Sequence, residues 1–318
     1  MKALVTGAAG FIGSHLAAGL LERGATVVGV DCFTDYYARE IKMGNLAPLR
    51  QKPAFHFVEG ALQTMELEPV LDGVTHIFHL AAQAGVRKSW GADFRIYTSN
   101  NIDATQRLLE AVKGRPLTRF VYASTSSVYG DEAPMPMRED APLHPVSPYG
   151  VTKLAAEHLC YLYHVNFGIP TVALRYFTVY GPRQRPDMGF HKFIRAALTG
   201  QPISLYGDGD QTRDFTYVLD AVAGTMAAGD RGQPGAVYNL GGGSRVSVNA
   251  VFELLARVTG RTLNIRREGV QKGDMRDTFA DTTRARRELG FAPKFTLEAG
   301  LAAESVWLAD LIGTEARR

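Results

Sequence analysis

The stretch SPYGVTK sets Tyr149 and Lys153 four residues apart. On a helix such residues share one face, so a phenol and an ammonium can point into the same crevice. Free tyrosine titrates near ~10. A neighbouring cation stabilises the phenolate and lowers that value, so the pair can act as a general base on a hydroxyl near neutral pH. Tyr-x-x-x-Lys also arises often by chance, usually at a surface, so the spacing gains weight only from what surrounds it. Upstream, YASTSSVYG supplies Thr125, Ser126 and Ser127. Their hydroxyls could bond a reacting oxygen, or simply shape a Ser/Thr turn.

The segment TGAAGFIG carries Gly7, Gly10 and Gly13 at three-residue spacing, after a strand-like run and before a helical one. Glycines there permit a tight turn and let backbone N–H groups approach a pyrophosphate at the helix N-terminus. Asp31 closes the next strand-like run, 18 residues after Gly13. A carboxylate at that point accepts from ribose hydroxyls and repels a 2′-phosphate, which favours NAD over NADP.

A third cluster lies in FTVYGPRQRPDMGF. Arg183 and Arg185 flank Gln184 between Pro182 and Pro186, with Thr178 upstream. An arginine fork suits a carboxylate or a phosphate; an ordinary solvated loop is the competing reading.

The elements that must position these groups follow from periodicity. Apolar strand-like runs occupy 2–7, 26–31, 55–60, 76–82, 119–124 and 171–177. Amphipathic stretches such as FIGSHLAAGLLERG and IDATQRLLEAV separate them, with apolar residues at i, i+3 and i+4. Strand–helix alternation predicts an α/β fold with a doubly wound parallel sheet. Beyond residue 177 the loops lengthen and the elements shorten. We expect residues 1–176 to form the NAD-binding domain, with later strands and helices crossing back to it, and 177–318 to form mainly a smaller C-terminal α/β substrate domain. Asn101, at the head of one helical stretch, suits a helix cap at least as well as a catalytic role.

Composition narrows the partners. A hydrophobic content of 46% and a charged content of 21% fit a soluble globular chain. The net charge of +3, from 35 basic and 32 acidic residues, gives no reason to expect nucleic acid or an anionic membrane. Cys32 and Cys160 have no metal-ligand spacing and form no disulfide framework, so no metal is expected and a reducing cytoplasm is. No apolar stretch has the length of a signal peptide or a membrane span.

Taken together, TGAAGFIG, Asp31, HLAAQAGVR, the Thr-Ser-Ser-Val-Tyr-Gly run, YGVTK, RYFTVYGP and DGDQTRDFTYV resemble the extended short-chain dehydrogenase/reductases that act on nucleotide sugars. The likeness covers essentially the whole chain and is greatest to the UDP-sugar 4-epimerases. DCFTDYYAREIKMGNL and RPDM point to the UDP-glucuronate 4-epimerase branch. The resemblance implies a Rossmann domain and NAD held by Gly7, Gly10, Phe11, Ile12, Gly13 and Asp31. It adds cofactor contacts from Leu80, Ala81, Ala82 and Tyr176. Tyr149 would be the base, Lys153 its partner and ribose ligand, and Thr125 the assisting hydroxyl. On the substrate side it implies Arg87, Ser126 and Ser127, with Tyr206 against uracil and Arg213 on the diphosphate. Asp274 would hold the nucleotide's ribose end, with Arg276 beside it. Two positions depart from the family. Ala61 stands where an Asp usually reaches adenine, and Gln271 where many relatives carry Arg, with Arg276 as a substitute.

Such relatives oxidise C4 of the sugar. The resembling 4,6-dehydratases carry Asp-Glu after the threonine and the decarboxylases a glutamate at the second of those positions; Ser126 and Ser127 here disfavour both. A 4-keto uronate is a β-keto acid that loses CO2 when its carboxylate bond aligns with the carbonyl π-system. An epimerase of uronates must therefore grip that carboxylate. We assign Arg185 and Thr178 to this grip, with Arg183 structural or solvent-facing. UDP-glucose 4-epimerase is the alternative, then UDP-glucuronate decarboxylase. A homodimer is expected through the helices near Asn101 and Tyr149, where Leu108, Leu109, Val112, Leu159 and Leu162 leave an apolar face to spare.

Overall fold

Each of the six apolar runs forms a parallel strand: β1 (Lys2–Thr6), β2 (Thr26–Asp31), β3 (Phe55–Glu59), β4 (His76–His79), β5 (Arg119–Thr125) and β6 (Thr171–Tyr176). The computed structural model describes residues 1–269 and 273–315. A seventh strand, Val237–Leu240, lies outside those six runs and joins beyond β6, a later strand crossing back to the sheet. Across the sheet the order is Val237–Leu240, β6, β5, β4, β1, β2, β3. The order reverses between β1 and β4, the point where such sheets open a ligand crevice at their carboxyl ends.

Alternation along each strand explains why both faces are covered. In β1, Ala3 and Val5 pack into one apolar cluster while Leu4 packs into the other. The first cluster takes Leu16 and Leu20 from helix α1 (Phe11–Glu22), and Val218, Ala221 and Ala228 from the helix Val218–Arg231. The second takes Leu108 and Leu109 from the helix Ala104–Ala111, and Ala156, Cys160 and Tyr163 from the helix Pro148–Phe167. Residues 177–318 thus return a strand and a helix to the first half. Three small two-stranded sheets pair Val179–Tyr180 with Thr216–Tyr217, Ile203–Tyr206 with Ile265–Glu268, and Thr212–Asp214 with Arg245–Ser247. Leu108, Leu109 and Val112 are wholly consumed by the core, which corrects their assignment to a spare face.

Asn101 does not cap a helix. It lies inside a π-helical turn, Thr98–Asp103, that runs straight into Ala104–Ala111. Its amide donates to the Gln83 carbonyl at 3.0 Å and to Thr152 Oγ1 at 2.9 Å, while its Oδ1 accepts from Gln83 N at 2.7 Å. The widened turn lets one side chain fasten the loop after β4 to the helix that bears Tyr149.

Candidate active site

The turn after β1 is a cradle that only glycine leaves open. Gly7 has φ +73°, and a Cβ there would lie 2.9 Å from Ala81 N. A Cβ on Gly13 would sit 2.1 Å from Gly7 O. Helix α1 begins at Phe11 with no side-chain cap, so its first N–H groups face the cleft. Asp31 Oδ2 accepts from Ala9 N at 3.2 Å and Oδ1 from Phe33 N at 2.9 Å, which fixes the carboxylate at the end of β2. Gly10, Phe11, Ile12, Leu80, Ala81 and Ala82 line the same cleft, as do Tyr149, Lys153 and Tyr176. Bare backbone donors beside an anchored carboxylate fit a dinucleotide. The Tyr176 hydroxyl is held by Thr225 Oγ1 at 2.6 Å, so its oxygen is already engaged within the protein. Ala61, in the loop after β3, contributes no polar side chain to this cleft.

The sequence reading missed Lys42. Its Nζ lies 3.8 Å from Asp31 Oδ1, bonds the Thr34 carbonyl at 3.2 Å, and lines the cleft. The signal was available, since helical spacing turns Lys42 of the segment after β2 back toward the strand end.

The helix Pro148–Phe167 is sharply bounded. Ser147 Oγ accepts from Gly150 N at 3.1 Å, Pro148 takes the first turn, and Gly168 ends the helix at φ +68°. Tyr149 and Lys153 therefore enter the crevice at a fixed height. Burial pushes the Tyr149 phenol up, while the Arg185 cation and a hydrogen bond with Thr125 pull it back. Arg185 adds a cation that favours the phenolate, and Lys153, one turn along the helix, lines the same cleft with its Nζ 4.4 Å from the Tyr122 ring centroid. Burial lowers the Lys153 ammonium to about 7.

One turn further along the same face, Glu157 accepts from Ser124 Oγ at 2.6 Å and from Arg175 Nη2 at 2.6 Å and Nε at 3.2 Å. Ser124 precedes Thr125 and Arg175 precedes Tyr176, so this buried carboxylate ties the ends of β5 and β6 to the helix. The i, i+4, i+8 spacing of 149, 153 and 157 was legible but not used.

Thr125 ends β5 and caps the short turn Ser126–Val128, its Oγ1 accepting from Ser127 N at 3.2 Å. Ser126 and Ser127 form that turn beside Thr125 and line neither the cofactor cleft nor the one described next.

The second cleft is lined by Arg87, Thr178, Tyr206, Arg213, Asp274 and Arg276. Arg87 Nη2 meets Asp274 Oδ2 at 2.6 Å, and its guanidinium lies 4.4 Å from the Tyr206 ring centroid. Arg213 donates to the carbonyls of Thr212, Met275 and Arg276, which orients its fork by main chain alone. Arg276 pairs with Asp208 at 3.0 Å. Gln271 lies outside the described residues. Arg185 and Thr178 are divided between the clefts: Arg185 lines the one with Tyr149, and Thr178 lines the other. Arg183 has φ +66°, and its Nη1 donates to Ser14 Oγ at 3.3 Å, while His15 Nε2 and the Pro182 carbonyl are 2.9 Å apart. The proline-flanked loop is thereby fastened to the helix that begins the cofactor cradle.

Comparison with known proteins agrees with this geometry. Residues 3–241 match the model of the NAD dependent epimerase/dehydratase family. The chain is 46% identical, over 98% of its length and 99% of the relative's, to an uncharacterised UDP-glucose epimerase, YtcB, of Bacillus subtilis. It is 38% identical to the UDP-glucuronate 4-epimerase of Thermodesulfobacterium geofontis, over 96% of this chain and 95% of that one. The crystal structure of the Bacillus cereus UDP-glucuronic acid 4-epimerase with UDP-glucuronic acid and NAD superposes with a TM-score of 0.95, at 44% identity, covering 98% of this chain and 100% of that chain. A tyrosine-to-phenylalanine mutant of that enzyme is known with a 4-deoxy-4-fluoro analogue and NAD.

Proposed function

Since this chain belongs to the NAD dependent epimerase/dehydratase family, we propose that it inverts C4 of UDP-glucuronate to give UDP-galacturonate through a 4-keto intermediate. It is an isomerase with NAD as cofactor. The observation that carries the uronate assignment is Arg185, the cation that lines the cleft with Tyr149 and acts on its phenol. The positions after Thr125 hold Ser126 and Ser127, so no carboxylate stands there to drive dehydration across C5 and C6.

Tyr149 takes the proton of the 4-hydroxyl, and Thr125 hands it along by hydrogen bonding. The glycine cradle, Asp31 and Lys42 hold NAD, which supplies a hydride acceptor and donor at C4. Arg87, Tyr206, Arg213, Asp274 and Arg276 hold the nucleotide end, so that the sugar can turn over between the two hydride transfers while the UDP moiety stays fixed. Arg185 and Thr178 grip the C5 carboxylate out of alignment with the 4-keto group, and the bound sugar spans the two clefts that these residues line.

The protein works in the cytoplasm as a homodimer. Both cysteines are unpaired thiols, and among the described residues no helix is long and apolar enough to cross a membrane. The helix Pro148–Phe167 turns Tyr161, Leu162, Val165 and Phe167 outward, each more than half exposed, an apolar strip suited to a second copy.

Incubation with NAD and a panel of UDP-sugars, followed by chromatography of the products, tests the reaction. UDP-galacturonate from UDP-glucuronate is expected. Turnover of UDP-glucose alone would move the assignment to the neutral-hexose epimerases, and a UDP-pentose as the main product would move it to the decarboxylases.

A further inference from the structure

Arg185 has a partner that the sequence reading passed over. Its Nε donates to Asp187 Oδ1 at 2.9 Å and its Nη2 to Oδ2 at 3.0 Å, a side-on bidentate contact. Tyr36, in the loop after β2, donates its hydroxyl to the same Oδ2 at 3.2 Å. The Arg185 guanidinium also lies 5.9 Å from the Tyr36 ring centroid. Burial would raise the Asp187 carboxyl, but Arg185 and Tyr36 hold it below the usual range, so it stays ionised.

A guanidinium carries five N–H donors in a planar fork. The side-on contact uses the Nε hydrogen and one on Nη2. Two on Nη1 and one on Nη2 remain; the Nη2 hydrogen and one of the Nη1 pair form the end-on edge, which can take a second carboxylate in the same plane. Nη1 makes no hydrogen bond among the described residues. One arginine can therefore hold Asp187 on one edge and a substrate carboxylate on the other.

We propose that Asp187 is a specificity-determining residue: it aims the free edge of Arg185 at the C5 substituent of the sugar and, by offsetting the arginine's charge, sets how strongly a uronate is preferred to a neutral hexose. This inference rests on the epimerase reading above. With both charges present the pair is close to neutral. A uronate then gains hydrogen bonds but no net cation, and it also feels the Asp187 charge behind the guanidinium. A neutral hydroxymethyl group is largely indifferent to that charge. Asp187 therefore narrows a discrimination that Arg185 alone would make wide, and in return it fixes the direction of the grip.

The test separates charge from aim. Asp187→Asn removes the charge and keeps an acceptor oxygen for Arg185; Asp187→Ala removes both. UDP-glucuronate and UDP-glucose are titrated into NAD-loaded protein by calorimetry in the Tyr149→Phe background, where turnover is suppressed. Asp187→Asn is expected to tighten UDP-glucuronate about three- to tenfold, the effect of one unit charge at short, partly screened range, and to leave UDP-glucose within about twofold. With Tyr149 restored, Asp187→Ala is expected to lower kcat on UDP-glucuronate more than it changes KM, and to release a UDP-pentose as the grip loosens. Equal changes on both sugars in Asp187→Asn, or weaker binding of UDP-glucuronate, would overturn the proposal. If wild-type protein turns over neither sugar, the epimerase reading fails, and the ratio of the two affinities still decides the role of Asp187.

Discussion

At the scale of single residues, the phenol of Tyr149 and the guanidinium of Arg185 divide the chemistry between them. Tyr149 is half-buried, and Arg185 and Thr125 pull its pKa down against the rise that desolvation causes. Tyr149→Phe deletes one oxygen and leaves the cradle around Gly7 and Gly13 intact. Turnover should fall by roughly 10²–10⁴-fold, while NAD stays bound, as read by the absorbance of the purified protein and by titration. Activity within a few-fold of wild type would remove Tyr149 from the role of base. Arg185→Ala should cut kcat/KM for UDP-glucuronate by one to two orders of magnitude, from the loss of ~1.5–3 kcal/mol of charged hydrogen bonding. It should touch UDP-glucose far less, and some turnovers should leak CO2 and yield a UDP-pentose. Equal losses on both sugars without a pentose would assign the arginine to the fold or to the diphosphate.

Between elements, two buried carboxylates do different work. Glu157 and Arg175 form an ion pair with side chains only 6% and 3% exposed, joining the catalytic helix to the ends of two strands. Glu157→Ala leaves a guanidinium buried without a counter-charge and should cost about 3–5 kcal/mol in urea unfolding, whereas replacing both partners by apolar residues of similar volume should restore most of it. A single-variant loss below ~1 kcal/mol would mean that water reaches the arginine. Glu304, on the helix Leu297–Glu315, is fully buried; its Oε2 accepts from Gly181 N at 2.8 Å, and its Oε1 has no partner among the described residues. Burial raises this carboxyl well above its ordinary 4.5, so the folded protein keeps a proton that the unfolded chain has released. Stability from this group is complete below the unfolded value and falls as pH rises toward the folded one, by up to ~1.4 kcal/mol per pH unit. Glu304→Gln keeps an acceptor for Gly181 and abolishes the ionisation. Its Tm should exceed wild type at about pH 8.5 and approach it at about pH 5. A Tm difference that is the same at both pH values would show that Glu304 stays ionised in the fold.

For the molecule as a whole, the exposed strip on the helix Pro148–Phe167 lies on the solvent side of the helix that carries Tyr149. Leu162 is 51% and Val165 60% exposed, and Phe94 and Ile96 add apolar surface on the neighbouring segment. Light scattering should give close to twice the chain mass of 34.7 kDa, and Leu162→Glu with Val165→Glu should halve it. Monomeric wild-type protein at micromolar concentration would remove the dimer.

The sequence by itself determined six strands of the sheet, the cradle and the i, i+4 spacing of Tyr149 and Lys153, because each is a local property. Strand alternation, glycines at three-residue spacing and an i, i+4 pair are written within a few residues of chain. It also carried the resemblance that led to a sugar-nucleotide chemistry. The tertiary structure decided what depends on distant segments meeting. The strand Val237–Leu240 was hidden because a four-residue strand completing a sheet edge has too little periodicity to stand out. Asn101 read as a cap because a π-turn has no local signature, and its bonds to Gln83 and Thr152 exist only once three elements converge. Arg185, 36 residues after Tyr149, brings a further cation to the phenol, and no local spacing foretells that meeting. Asp187 lay two residues from Arg185 in plain view, yet its role depends on Tyr36 arriving from a loop 151 residues away in sequence. Periodicity is a one-dimensional quantity, whereas the charge felt by a buried phenol or carboxylate is a sum over neighbours in three dimensions, and only the folded chain supplies that sum.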